Sequence, residues 1–300
     1  MGIERLAHAE LRVPDIGKAL DYNVNAFGLK QMDKIGDTYY LGCGFDHHYD
    51  LALTPGGTGI AHYAFTVNNE DDLIHYKKRV EDYGIQVSEF TDREPGELKG
   101  IGFDIPGANI PLRMELITIA NKSVSYINPA ATPARTFHGA GPHDLDHLGL
   151  KVKDPKELAF FLEKALDFRM SDIFMPKPGV YGAVWARIRD YHHELAFMGG
   201  VGGDKESLDH IAFSFENIDH MKRALDMLAH YGLELEFGVG RHAAGANLYA
   251  YYWAFGNRYE LSAEMPRMVD DSAETIIWDD ISKSISSWGM KIPSSMKEGS

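Results

Sequence analysis

A single cysteine in 300 residues, Cys43, excludes an intrachain disulfide and any thiolate cluster, so a metal site in this chain has to be built from His, Asp and Glu. Positive charge is also scarce. Lys and Arg number 30 against 44 Asp and Glu, a formal net charge of -14, and no basic run is present to neutralise a phosphate backbone. Nucleic acid is therefore not an expected partner. No apolar stretch approaches the roughly 18 residues of a membrane span, and the opening MGIERLAHAE has no apolar run of the secretory kind. The expectation is a chain with no membrane partner, in the cytoplasm. What is plentiful is apolar content, 44%, enough to bury a core over about two domains, together with 14 histidines.

Four of those histidines recur in one setting. LDHLGLKV at 145–152 and LDHIAFSF at 208–215 are matched in the first half by LAHAELRV at 6–13 and IAHYAFTV at 60–67. Each copy heads a strand-like run followed by a helix-like one. The helix after Lys153 is the best marked: Asp154 as its cap, Pro155 in the first turn, Glu157 completing a capping box, and Leu158, Phe161, Leu162, Ala165 and Leu166 along one face. Gly84 and Gly232 stand where left-handed caps would stop two other helices. Both halves pass through turns to a strand expected to carry a His-His pair, His47-His48 and His192-His193, and both close on strands ending LRMELI and RYELSA. The chain reads as an α+β protein of four βαβββ modules in two tandem pairs. The divisions are 1–120, a connector at 121–142 rich in Ala, Pro, Thr and Ser, a second pair at 143–265, and a tail at 266–300. That tail carries Ile276, Ile277, Trp278 and Trp288 and is expected to pack on the body.

Strand alternation divides each histidine segment into two faces. Ile211, Phe213 and Phe215 form an apolar face, while His210 shares its side with Ala212 and Ser214. Leu148, Leu150 and Val152 leave His147 beside Gly149, and Tyr259 and Leu261 leave Glu260 beside Ser262. An uncompensated carboxylate on an interior face costs several kcal/mol, so a cation is its natural partner. Two imidazoles and one carboxylate with adjacent places open form the ligand set of non-haem Fe(II) oxygenases.

At this point the chain resembles the type I extradiol ring-cleavage dioxygenases of the vicinal oxygen chelate superfamily, with a glyoxalase-like fold, from LAHAELRV to RYELSAEM. The sharpest part of the resemblance is GRHAAGANLYAYYWAFGNRYEL at 240–261. It implies His147, His210 and Glu260 as ligands of Fe(II), with Mn(II) fitting the same donors. It implies His193 as acid/base, His242 and Tyr251 as partners of the substrate oxygens, and Trp185 as a lining aromatic. The partners it implies are a catecholic substrate and O2, and a homo-oligomer. WAFGN departs from the family's Asp-Pro turn, which leaves open whether Tyr249, Tyr251 or Tyr252 faces the site. Arg241 and Arg258 are the only arginines near enough in sequence to meet a substrate carboxylate, so an uncharged substituent is expected.

His8, His62 and Glu115 hold the equivalent positions in the first pair. Glu10 on the face of His8, Ile117 beside Glu115, and Arg93-Glu94 where Arg241-His242 stands weigh against a reaction there. The first pair is expected to be structural and metal-free. Rival readings are a glyoxalase-like or hydroquinone-cleaving metalloenzyme on the same scaffold, and a metal-free module that binds an aromatic ligand.

Overall fold

The computed structural model describes residues 2–44, 47–120, 139–200, 203, 205–270 and 272–300. Four βαβββ modules follow one another. The first is β1 (Ile3–Val13), α1 (Ile16–Leu20, continued by a wide turn to Ala26), β2 (Lys30–Ile35), β3 (Thr38–Gly42) and β4 (Leu51–Pro55). The second is β5 (Ile60–Val67), α2 (Glu70–Asp82), β6 (Ser88–Thr91), β7 (Glu97–Asp104) and β8 (Arg113–Ile119). The third is β9 (Leu145–Lys151), α3 (Pro155–Leu166), β10 (Arg169–Phe174), β11 (Ala183–Arg187) and β12 (Leu195–Met198). The fourth is β13 (Leu208–Phe215), α4 (Ile218–His230), β14 (Leu235–Arg241), β15 (Leu248–Ala254) and β16 (Asn257–Ala263). A last strand, β17 (Ile276–Trp278), and the short α5 (Ile281–Ile285) follow.

Each pair of modules forms one sheet. The orders are β2-β3-β4-β1-β5-β8-β7-β6 and β14-β15-β16-β13-β9-β12-β11-β10-β17. In every module the first strand runs parallel to the last, and the first strands of paired modules run antiparallel at the centre of the sheet. The α+β architecture expected from the repeat is the one observed. Of the expected connector 121–142, residues 121–138 lie outside the described residues.

The two strand faces sort as alternation requires. Leu148, Leu150, Ile211, Phe213, Tyr259 and Leu261 are all fully buried in one core that also takes in Leu11, Tyr63 and Phe65 of the first pair. Burying each such side chain contributes about 1.5–3 kcal/mol. The core is stitched across the two sheets by Tyr22 donating to the Tyr252 hydroxyl at 2.8 Å and by Phe27 packing edge-on to Phe213 at 5.1 Å, and at the surface Arg79 pairs with Asp167 at 2.6 Å. The opposite faces are left to polar clusters.

Local signals were mostly obeyed, with two corrections. Asp154 accepts from the amides of Lys156 and Glu157, both at 3.0 Å, but its own amide donates to the Gly107 carbonyl at 2.9 Å. The expected return bond from Glu157 is thereby displaced by a contact from the other module pair. The two His-His pairs stand in loops ahead of β4 and β12, not within those strands. Gly84 and Gly232 do take left-handed φ values, +92° and +68°. The 254–257 turn is a two-residue hairpin in which Phe255 and Gly256 both have positive φ, 51° and 78°. Proline, locked near φ of about -65°, has no place at either central position, which accounts for the missing Asp-Pro.

Beyond Ala263 the chain returns to the body. β17 adds to the sheet edge beside β10, and the Trp278 indole donates to Asp172 at 2.8 Å. Ile276 and Ile277 remain half exposed, and Trp288 lies over Arg241. No helix among the described residues is long and apolar enough to cross a membrane.

Candidate metal centre

Three central strands of the second sheet bring His147 (β9), His210 (β13) and Glu260 (β16) to one point. His147 Nε2 lies 3.1 Å from His210 Nε2 and 3.1 Å from Glu260 Oε2, and His210 Nε2 lies 3.2 Å from the same oxygen. All three residues are buried. The register explains the convergence: β13 lies between β9 and β16, with Ala212 opposite both His147 and Glu260. Gly149 is the space for His210. A Cβ there would stand 2.2 Å from the His210 ring, so the small residue expected to leave room for a ligand instead admits the neighbouring imidazole. Gly149→Ala is expected to push His210 out of the cluster. The cost is about 1–3 kcal/mol of stability, seen as a lower melting temperature together with weakened metal uptake; an unchanged metal affinity would contradict this packing.

The far nitrogen of each imidazole is held by the residue just before it in sequence. His147 Nδ1 meets Asp146 at 3.0 Å and His210 Nδ1 meets Asp209 at 2.6 Å. With those N–H groups donated, both Nε2 atoms present lone pairs toward each other and toward a carboxylate oxygen. Three converging lone-pair atoms need a cation between them. Burial opposes a charge on His147, yet Glu260 and Asp146 outweigh it and raise its pKa to about 10. Burial likewise opposes the Glu260 anion, and His147 and its neighbours hold the carboxyl well below the usual range. The pocket asks for positive charge from either side. Neighbouring donors of a six-coordinate ion with bonds of about 2.2 Å lie about 3.1 Å apart, the spacing observed, so the residues fit a divalent ion bound on one face.

Asp146 and Asp209 were missed by sequence reasoning, although the signal was present. The second-half copies read Leu-Asp-His, where the first-half copies have Ala7 and Ala61 before the histidine. Asp209 is itself bound by Lys151 at 2.8 Å and by Arg258 at 3.2 Å. These cations, with His210, keep its carboxyl well below the ordinary value against the effect of burial. Asp209→Asn should weaken metal binding about 10–100-fold and destabilise the fold by about 3–5 kcal/mol, since the buried Lys151 would lose its carboxylate while Arg258 keeps only Glu236. Metal titration and thermal unfolding check the two parts separately. Asn247 was also missed; it donates to Glu260 Oε1 at 3.3 Å and to Ser262 at 3.1 Å, steadying the carboxylate.

The other expected residues surround this point. His193 is buried, its ring centroid 4.3 Å from that of His147, and its Nδ1 is 3.0 Å from His192 Nδ1. Burial, then the nearby histidines, hold its pKa well below the ordinary value. Tyr251 lies opposite Glu260 in the hairpin, and its hydroxyl is 3.0 Å from His242 Nε2. Burial and Glu260 push the Tyr251 phenol well above its usual pKa. Among the three tyrosines, alternation turns Tyr252 away, to Tyr22, while Tyr251 packs against His210 and Tyr249 stacks on His242 at 4.0 Å. Trp185, on β11, sits in an apolar patch with Ala196 and Ala244, against which Trp278 packs. Arg241 is paired with Glu264 at 2.6 Å, and Arg258 is wholly buried between Asp209 and Glu236. Neither is available to a substrate carboxylate.

In the first pair, His8 and His62 also converge, but Glu115 does not complete them. Arg93 and Arg113 bind its two oxygens, and Glu94 turns inward in its place. Glu10, expected to crowd this cluster, instead accepts from His62 Nδ1 at 3.1 Å.

Residues 5–107 and 144–261 match the model of the Glyoxalase/Bleomycin resistance protein/Dioxygenase superfamily, and the chain belongs to that family. It is 25% identical over 290 residues to a manganese-dependent 2,3-dihydroxybiphenyl 1,2-dioxygenase of Geobacillus genomosp. 3, covering 93% of this chain and 90% of the relative. Metapyrocatechase of Pseudomonas sp. strain CF600 is 24% identical, covering 87% and 86%. The crystal structure of homoprotocatechuate 2,3-dioxygenase from Arthrobacter globiformis superposes with a TM-score of 0.86 at 22% identity, covering all of this chain and 92% of that one. The resemblance to extradiol dioxygenases drawn from the sequence holds.

Proposed function

We propose that this extradiol dioxygenase opens the ring of an uncharged catechol beside its diol, using O2, at His147, His210 and Glu260. The reading rests on the mutual 3.1–3.2 Å spacing of three buried donor atoms, two of them on imidazoles whose outer nitrogens are already committed. Fe(II) or Mn(II) held by these three side chains would bring a diol and O2 together for reaction.

The chain's own residues handle protons and position. His242 Nδ1 donates to the Ile285 carbonyl at 2.6 Å, so its Nε2 accepts from Tyr251 and the phenol oxygen keeps lone pairs for a substrate hydroxyl. Tyr251 and His242 thus form a relay that draws a proton from the diol. His193, beside His147 and with a pKa held well below the ordinary value, serves as the acid/base group. Aromatic walls from Trp185 and Tyr249 suit a planar ring. With Arg241 and Arg258 both committed, a substrate without a carboxylate is favoured. The reading places the reaction in residues 143–265, with 1–120 as a non-catalytic partner unit and 266–300 closing one side. It takes the protein to be a cytoplasmic homo-oligomer serving aromatic-compound breakdown.

The test is chelation, anaerobic reloading with Fe(II) or Mn(II) in parallel, and oxygen-electrode and visible-spectrum assays over neutral and carboxylated catechols. Oxygen uptake with a coloured ring-opened product, fastest on neutral catechols, is the expected result. No uptake with either metal on any catechol would defeat the assignment, and preference for carboxylated catechols would defeat the substrate class. Light scattering checks the oligomer.

A further inference from the structure

A second set of donors lies in the first pair of modules, outside the site described above. His8 Nε2 is 3.3 Å from His62 Nε2, and Glu94 Oε2 is 3.4 Å from the first and 3.3 Å from the second. The triangle is close to equilateral and buried: His8 is wholly inaccessible, and His62 and Glu94 are each 7% exposed. The outer nitrogens are again committed, His8 Nδ1 to His48 Nε2 at 3.0 Å and His62 Nδ1 to Glu10 at 3.1 Å. Donation outward from both rings leaves lone pairs on both Nε2 atoms, facing a carboxylate oxygen. Tyr49 stands beside them, its hydroxyl 3.1 Å from His8 Nε2 and 2.5 Å from Glu94 Oε2.

A second observation points the same way. Glu97 is 1% exposed and neither of its side-chain oxygens has a partner, although it groups within ligand distance of Glu94 and Glu115. Four carboxylates, Glu10, Glu94, Glu97 and Glu115, face two guanidiniums, Arg93 and Arg113, in this cluster. A buried carboxylate without a partner costs several kcal/mol, which a cation bound at Glu94 would offset.

We propose that His8, His62 and Glu94 bind a zinc(II) ion, making the first pair of modules a second metal site. Two imidazoles and a carboxylate are ligands that zinc takes in four-coordinate sites, and their three donor atoms converge here within 3.3–3.4 Å of one another. The fourth position falls to water or to Tyr49. Its burial and the guanidiniums clamped on Glu115 make the site structural. The expectation of a metal-free first pair took Glu115 as the third donor and rested on Glu10, Ile117 and Arg93-Glu94 standing near it. It did not anticipate Glu94 replacing it.

The test counts ions in the full chain. After chelation, reloading with excess Zn(II) and desalting, elemental analysis should give two ions per chain in the wild type. Glu260→Gln and Glu94→Gln should each retain one. Cobalt(II) in the Glu260→Gln chain should show the intense visible absorption of four-coordinate cobalt, lost in the double variant. One ion in the wild type with none in Glu260→Gln would overturn the proposal even if Glu94→Gln failed to fold. A single ion retained in Glu260→Gln but absent from Glu94→Gln would keep it and instead remove the assignment at Glu260.

Discussion

Glu260→Gln leaves a folded chain that no longer takes Fe(II) or Mn(II) between His147 and His210, and ring cleavage falls to background. The amide keeps the volume and the hydrogen bonds that Asn247 offers, so packing on β16 is little changed. What is lost is the anion. An amide oxygen is a weak donor to a hard divalent ion, and the two neutral imidazoles left behind carry no charge to offset the ion's desolvation. The affinity loss should exceed the roughly 10–100-fold that follows loss of a ligand's outer partner, because a direct bond is removed. A titration of metal at Glu260→Gln against wild type, with circular dichroism as the fold control, reads this directly. Full metal uptake and normal turnover by the variant would refute Glu260 as a ligand. The matching substitution Glu115→Gln should have no such effect, since Arg93 and Arg113 already hold that carboxylate.

Much of this arrangement was legible before any coordinates. The four histidine-headed strands gave the modular repeat, and period-two alternation put His147, His210 and Glu260 on one side of one sheet. What alternation could not supply is which side chains lean across strands. Glu94 replacing Glu115, Glu10 steadying His62, and Gly149 yielding its space to His210 are all contacts between residues remote in sequence. They depend on register and on the neighbouring arginines. The role of Asp146 and Asp209 was different, since the letters were visible in both Leu-Asp-His copies. Adjacent strand residues are assigned to opposite faces, which hides a side-chain bond from residue i to residue i+1. A register shift in the β13–β9 pairing between Leu208 and His210 accompanies that bond at Asp209.

His193→Phe is expected to separate binding from chemistry. His193 is not one of the three converging donors, so the variant should load metal as wild type does; phenylalanine is close in size and fills a buried site already lined by His147 and His192. Turnover should fall about 10²–10⁴-fold, the usual worth of a positioned proton-transfer group. His193 Nδ1 lies 3.0 Å from His192 Nδ1, which leaves His193 Nε2 free of that contact, in a ring that burial and neighbouring histidines hold well below the ordinary pKa. A group of that kind takes up a proton only as another leaves the reacting oxygens, which is what a base that becomes an acid within one turnover must do. His193→Gln, which retains a polar group of similar reach, should recover little of the loss because an amide does not exchange a proton at this pH. If His193→Phe kept both its metal and its turnover, proton transfer would have to be sought at His242 and Tyr251 alone; if it lost the metal, His193 would belong with the ligands' supports.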